Sequence, residues 1–161
     1  MLKRMLAGVC VLAALAPLVA GAAPGALQAA DIAGRWAGTS HAEKSRSILT
    51  LDIVACGTGW CGIKVEAGEK CAGTALKVDA GAVDENNAQF EGTLELAPGT
   101  EPYRIHATIF PHEDGKPLQM RVTGNTGGEH RAFHRSFPFE AAMARVKDAV
   151  CHAPATVSAL Q

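Results

Sequence analysis

Apolar and polar residues alternate with a period of two along much of this chain, the pattern of half-buried strands. In Phe90-Glu91-Gly92-Thr93-Leu94-Glu95-Leu96 the even positions are apolar or glycine. Tyr103, Ile105, Ala107 and Ile109 form the dry face of the next such stretch, and Leu118, Met120 and Val122 that of another. Residues 47–55 read as a further strand, with Leu49, Leu51, Ile53 and Ala55 on one face. Its other face carries Ile48 and Val54 but also Asp52. One dry and one wet face per strand is what an antiparallel sheet or barrel wall requires.

Turn-forming clusters separate these stretches: Gly57-Thr58-Gly59, Asp84-Glu85-Asn86-Asn87, Pro98-Gly99-Thr100, His112-Glu113-Asp114-Gly115 and Asn125-Thr126-Gly127-Gly128. Their even spacing predicts consecutive hairpins. Counted from Gly34 there are about eight strands, the number that closes a small barrel. The expected fold is therefore all-β, an antiparallel up-and-down barrel over residues 34–137, with an open meander or a sandwich as the alternatives. The last stretch reads differently. Phe139, Ala142, Met143, Val146 and Val150 fall on one helical stripe behind Pro138, which predicts a C-terminal helix over 138–151 docked on the barrel. Residues 152–161 read as a tail.

The start of the chain changes the picture of where such a domain works. Lys3 and Arg4 precede an uncharged run from Met5 to Ala20, broken by Gly8 and Pro17, and Ala20-Gly21-Ala22 fits a small-x-small cleavage site. This is the layout of a signal peptide over residues 1–22 with cleavage before Ala23; cleavage after Ala29 or Ala30 and an uncleaved anchor are the alternatives. Cys10 lies early in the apolar run behind Ala7-Gly8-Val9, a poor lipoprotein site, and leaves with the signal. Removing residues 1–22 from the 161 leaves 139, and taking out Lys3 and Arg4 moves the formal net charge from −1 to −3. A mildly acidic chain of that length, with no basic run, makes one domain and is a poor partner for nucleic acid. No second apolar span follows, so the expected mature domain, residue 23 onward, does not insert in a membrane.

Four cysteines then remain, Cys56, Cys61, Cys71 and Cys151. An even number in an exported domain predicts disulfides, and four cysteines allow three pairings. Cys56–Cys61 brackets a four-residue turn, and Cys71–Cys151 would fasten the C-terminal element to the barrel wall, so this pairing is preferred. Zinc held by the sulfurs is the competing reading, against which the spacings stand, since none is a CxxC knuckle. The compartment is read as periplasmic or extracellular.

Candidate chemistry is sparse. His130 and His134 are four apart, and with His106 they could hold a metal ion, though solvated surface histidines are the plainer reading. Ser45, Ser47 and Ser136 lie in no nucleophile motif. Asp52 is a candidate buried acid, more simply a wet or paired carboxylate. Glu91 and Glu95 are separated by two strand pleats, roughly 13 Å, too far for a glycosidase pair. The residues point to no enzyme and no cofactor.

Two short segments resemble known proteins. Gly34-Arg35-Trp36 resembles the Gly-x-Trp signature of lipocalin-like (calycin) barrels. The resemblance implies that Gly34 and Trp36 are structural and that a basic residue of the last strand packs across the tryptophan. With a last strand over 130–137, which offers Arg131 and Arg135, that residue is Arg135. Cys56-Gly57-Thr58-Gly59-Trp60-Cys61-Gly62-Ile63-Lys64 is similar to the Cys-Gly hairpin of an uncharacterised family of exported bacterial proteins with small calycin-like barrels. What the resemblance implies is a non-enzymatic barrel that binds a small hydrophobic ligand or an envelope protein. Two alternatives stand beside it. One is a periplasmic protease inhibitor, since small exported barrels of that kind insert an N-terminal segment into a protease, and residues 23–33 would be that segment. The other is a metal-binding barrel using the histidines. Whether side chains fill the barrel decides how much room a ligand has.

Overall fold

The computed structural model describes residues 27–42, 45–84, 86–110, 117–126 and 137–153. The expected alternation is realised as strands: β1 (Gly34–Ala42), β2 (Ser45–Cys56), β3 (Gly59–Glu66), β4 (Lys70–Val78), β5 (Ala82–Val83), β6 (Ala88–Leu94), β7 (Tyr103–Phe110), β8 (Gln119–Thr126) and β9 (Pro138–Lys147). Neighbours in sequence pair antiparallel, β4 and β5 excepted; β1 also pairs with β9, and β4 with β6. Eight strands thus form a closed up-and-down barrel. The two-residue β5 lies outside this ring as a flap on β6.

The inward positions are those the period predicts. Tyr103, Ile105, Ala107 and Ile109 of β7, Met120 and Val122 of β8, and Leu49, Leu51 and Ile53 of β2 are all buried in one core with Phe90 and Leu94. Ala55 is the exception: it lies at the rim and is exposed.

The expected helix over 138–151 is wrong. Pro138–Lys147 is the strand that closes the barrel, with Phe139, Ala141 and Met143 turned inward at period two. Ala141, Ala142 and Ala144 fit either period, so the sequence pattern does not choose. Pairing does, because a strand here satisfies backbone groups on both β1 and β8. The seam is close: a Cβ on Gly38 would stand 1.9 Å from the Ala142 carbonyl oxygen, so β1 reaches β9 only with glycine at that point.

Residues 27–33 close one end of the barrel. Gln28 and Asp31 cap a single helical turn, α1 (Ala29–Ile32), and Leu27 and Ile32 are buried. The chain beyond β9 does not form part of the barrel. Residues 148–153 run across the outer face of β2 and β3, where Cys151 packs with Cys61, Ile63, Val54 and Val65 in a second, smaller apolar cluster. No helix among the described residues is long and apolar enough to cross a membrane. The signal peptide over 1–22 and the tail from 154 onward lie outside the described residues.

Candidate functional site

The Gly-x-Trp segment builds the closed end. Trp36 is fully buried, and its indole Nε1 donates to the Ile32 carbonyl at 2.9 Å, which ties α1 to the first strand. Gly34 has a φ of +147°, and a Cβ there would stand 2.6 Å from Arg145 Nε. Glycine is required on both counts. The basic residue at this end is Arg145 on β9, opposite Trp36 in the ladder, with its Nε donating to the Ala33 carbonyl at 3.0 Å. Arg135, the residue the resemblance implied for this role, lies outside the described residues.

The middle residue of the same tripeptide carries the densest electrostatics. Arg35, on the outer face of β1, grips Asp52 of β2 in a fork, Nε to Oδ1 at 2.6 Å and Nη2 to Oδ2 at 2.9 Å. Asp52 Oδ2 also accepts the backbone N–H groups of Val150 and Cys151, each at 2.8 Å. Arg35 Nη1 reaches Glu69 at 3.0 Å, and Lys147 completes the chain through the same carboxylate. Both Arg35 and Asp52 are buried, at 4% and 0% exposure. Burial pushes the Asp52 carboxyl up, but the Arg35 fork and the Cys151 and Val150 amides outweigh it and hold the group below its ordinary value. The Asp52 hydrogen bond raises Arg35. The Lys147 hydrogen bond, with help from Arg35, lowers Glu69. With four donors on its two oxygens and no exposure, Asp52 is a latch for the C-terminal strap and has no reach to a substrate.

A pH dependence follows. The folded value of Asp52 lies below the unfolded one, about 3.9, so its contribution is complete above that value and is withdrawn as pH falls through the folded one. Urea midpoints are expected to drop in acid for the native chain, with the gap to Asp52→Asn narrowing as they do. A gap that stays constant from pH 7 to pH 2 would mean that Asp52 is not the group responsible.

The cysteines pair as preferred, Cys56–Cys61 at the β2–β3 turn and Cys71–Cys151 between β4 and the strap. All four sulfurs are thereby used, which removes the zinc reading that depended on them. His106 stands on the wet face of β7, facing Glu91 across the strand pair at 3.4 Å, and both are well exposed. His130 and His134 lie outside the described residues. Among the described residues, no three His, Cys, Asp or Glu side chains come together as a metal site. Ser45 Oγ donates to the Ala42 carbonyl, and Ser47 Oγ meets Ser40 Oγ at 3.0 Å; Ser136 lies outside the described residues. Glu95 turns back to accept the Gly99 amide and does not face Glu91.

The barrel interior is packed. A remnant of about 10 Å³ persists among Ile53, Leu76, Val78, Phe90, Ile109 and Met120, about the space of a single water. Small-molecule sites need some 300–1,000 Å³. Space of that order lies outside, including a cleft of about 490 Å³ between α1, the Cys56–Cys61 hairpin and the segment ending at Val83. Neither this cleft nor the Arg35–Asp52 pair is announced by a sequence motif. Asp52 and the Gly-x-Trp were both in view, but nothing in the spacing joined them.

Fold and site together define a small, closed, eight-stranded antiparallel barrel with a disulfide-fastened strap, a shape consistent with a lipocalin-like barrel. No protein-family model, curated protein or solved structure matches the chain.

Proposed function

We propose that the chain is an exported, non-enzymatic barrel of lipocalin-like (calycin) type that binds an apolar molecule or an envelope partner through its outer surface. The observation that carries this is the filled interior, which leaves binding to the outside. Two disulfides support an oxidising compartment. Leu27 is buried and α1 begins at Ala29, which favours cleavage before Ala23 over a cut at Ala29 or Ala30 that would take away part of the barrel's end. The inhibitor reading needs residues 23–33 free to enter a protease, whereas Leu27 and Ile32 are held in the core.

The test is intact mass on the protein recovered from the exported fraction. The expected product starts at Ala23, weighs four hydrogens less than the reduced chain, and has the same mass under native and denaturing conditions. Recovery only in the cytoplasm with residues 1–22 attached would overturn export. A resident small molecule that is released on denaturation and is still carried by Val83→Glu, a change on the outer surface, would overturn the surface reading and return binding to the interior.

A further inference from the structure

The cleft at the α1 end differs from the other grooves in charge. Three grooves elsewhere on the surface each present three or more ionisable side chains: Lys64, Glu66 and Glu95 in one, Asp79, Glu91 and His106 in the second, and Arg35, Lys64, Glu66 and Glu69 in the third. The α1-end cleft, lined by Ala29, Ile32, Gly57, Gly59, Trp60 and Val83 among others, presents none among the described residues. A charged ligand entering it would lose hydration with no counter-charge to meet, so the lining selects against ions. Its volume falls in the range of small-molecule sites.

The walls are also fixed in place. The Cys56–Cys61 disulfide closes the hairpin that supplies Gly57 and Gly59. A Cβ on Gly57 would meet nothing within 4 Å, so this wall is bare backbone beside open space. Trp60 lies on β3 between Ala55 and Val78 and is half-buried. Trp60 and Ile32 line both this outer cleft and the apolar remnant inside the barrel, so an apolar occupant would sit directly on the outer skin of the core. Among the described residues the exposed large apolar side chains are Ile48, Val83, Phe110, Val146 and Val150, and of these only Val83 lines the cleft. A protein partner needs about 800 Å² of its own surface covered, and scattered apolar residues do not offer that. One small molecule needs far less.

We propose that this cleft is a binding site for a small, uncharged, apolar molecule, with the Trp60 ring as one wall and Val83 at the rim. The proposal rests on the reading of the barrel as a surface binder and gives that reading a location and a ligand class.

The experiment titrates the folded, disulfide-intact domain with N-phenyl-1-naphthylamine, a neutral apolar fluorophore. One-site saturable enhancement is expected, accompanied by quenching of tryptophan emission that Trp60→Phe removes, since Trp36 is sealed in the core. Val83→Glu and Thr58→Glu, which place a charge at the cleft from two different segments, should each weaken binding at least tenfold. Ile48→Glu, at an exposed site on β2 outside the cleft, should leave it unchanged. Circular dichroism checks that each variant is folded, and the two cleft variants stand in for one another should one fail. No saturable binding, or equal loss in Ile48→Glu, would overturn the site. So would a dimer abolished by Val83→Glu, which would assign the cleft to a second copy of the chain. Probe binding is read on the folded domain wherever the cell puts it, so failure here leaves export untouched, and failure of export leaves the cleft.

Discussion

Arg35→Ala is expected to destabilise the domain by about 3–5 kcal/mol, the range for removing one partner of a buried ion pair. Asp52 would remain with its charge buried under the strap and would keep only the Val150 and Cys151 amides. Equilibrium unfolding in urea, followed by tryptophan emission, measures the loss. The double variant Arg35→Met/Asp52→Leu distinguishes the pair from the latch. A buried pair replaced by apolar groups is often close to neutral, so most of the loss should return. Recovery should stop short by about 1–3 kcal/mol, because an apolar residue at 52 leaves two strap amides unmet. Full recovery would mean that those amides find water and that Asp52 does not anchor the strap. A loss under 1 kcal/mol for Arg35→Ala would refute the buried pair outright.

The second large effect concerns the strap's covalent anchor. Cys71 and Cys151 are 80 residues apart and Cys56 and Cys61 only 5. In the chain-entropy model these loops correspond to about 4.5 and about 2 kcal/mol. Replacing the long-loop pair with alanine should therefore lower stability about twice as much as replacing the hairpin pair. The long-loop loss should also couple to Arg35→Ala, because freeing Cys151 loosens the amides that Asp52 holds. Measured in one cycle, the two changes together are expected to cost less than their separate losses summed. Equal losses for the two disulfides would place the stabilisation in local geometry and not in loop closure.

Much of the barrel was legible because its strands obey one period. Residues 103–109 and 118–123 have one dry face each, and the structure turns those faces inward. β9 was not legible, for a physical reason. Alanine at 141, 142 and 144 lets a helical stripe and a strand stripe coexist in the same residues, and only the open edges of β1 and β8 select between them. The pairing of the cysteines was readable from the turn between Cys56 and Cys61, although the element that Cys71–Cys151 fastens is a strap beyond β9 and not the end of a helix. The latch was half visible. Asp52 is the one acid on a strand face with Ile48, Thr50 and Val54, but its partner sits inside the Gly-x-Trp, whose pattern is carried by the flanking glycine and tryptophan. Two of its four donors are backbone amides that no side-chain pattern announces. The cleft depends on three segments brought together by closure of the ring, so no local stretch of sequence contains it.

The seam between β1 and β9 also sets a timetable. It joins the two ends of the domain, and the Arg145–Ala33 hydrogen bond alone spans 112 residues. Contacts between such distant positions cost loop entropy before they give anything back, so they form late. A chain that emerges N-terminus first can make its β2–β3 hairpin, with the Cys56–Cys61 bond, while the rest is still unborn. It cannot seat Trp36 against β9, or give Cys71 its partner, until residues 138–151 have arrived. Such a polypeptide stays threadable until β9 and Cys151 have emerged, and it locks only in the compartment that those residues reach.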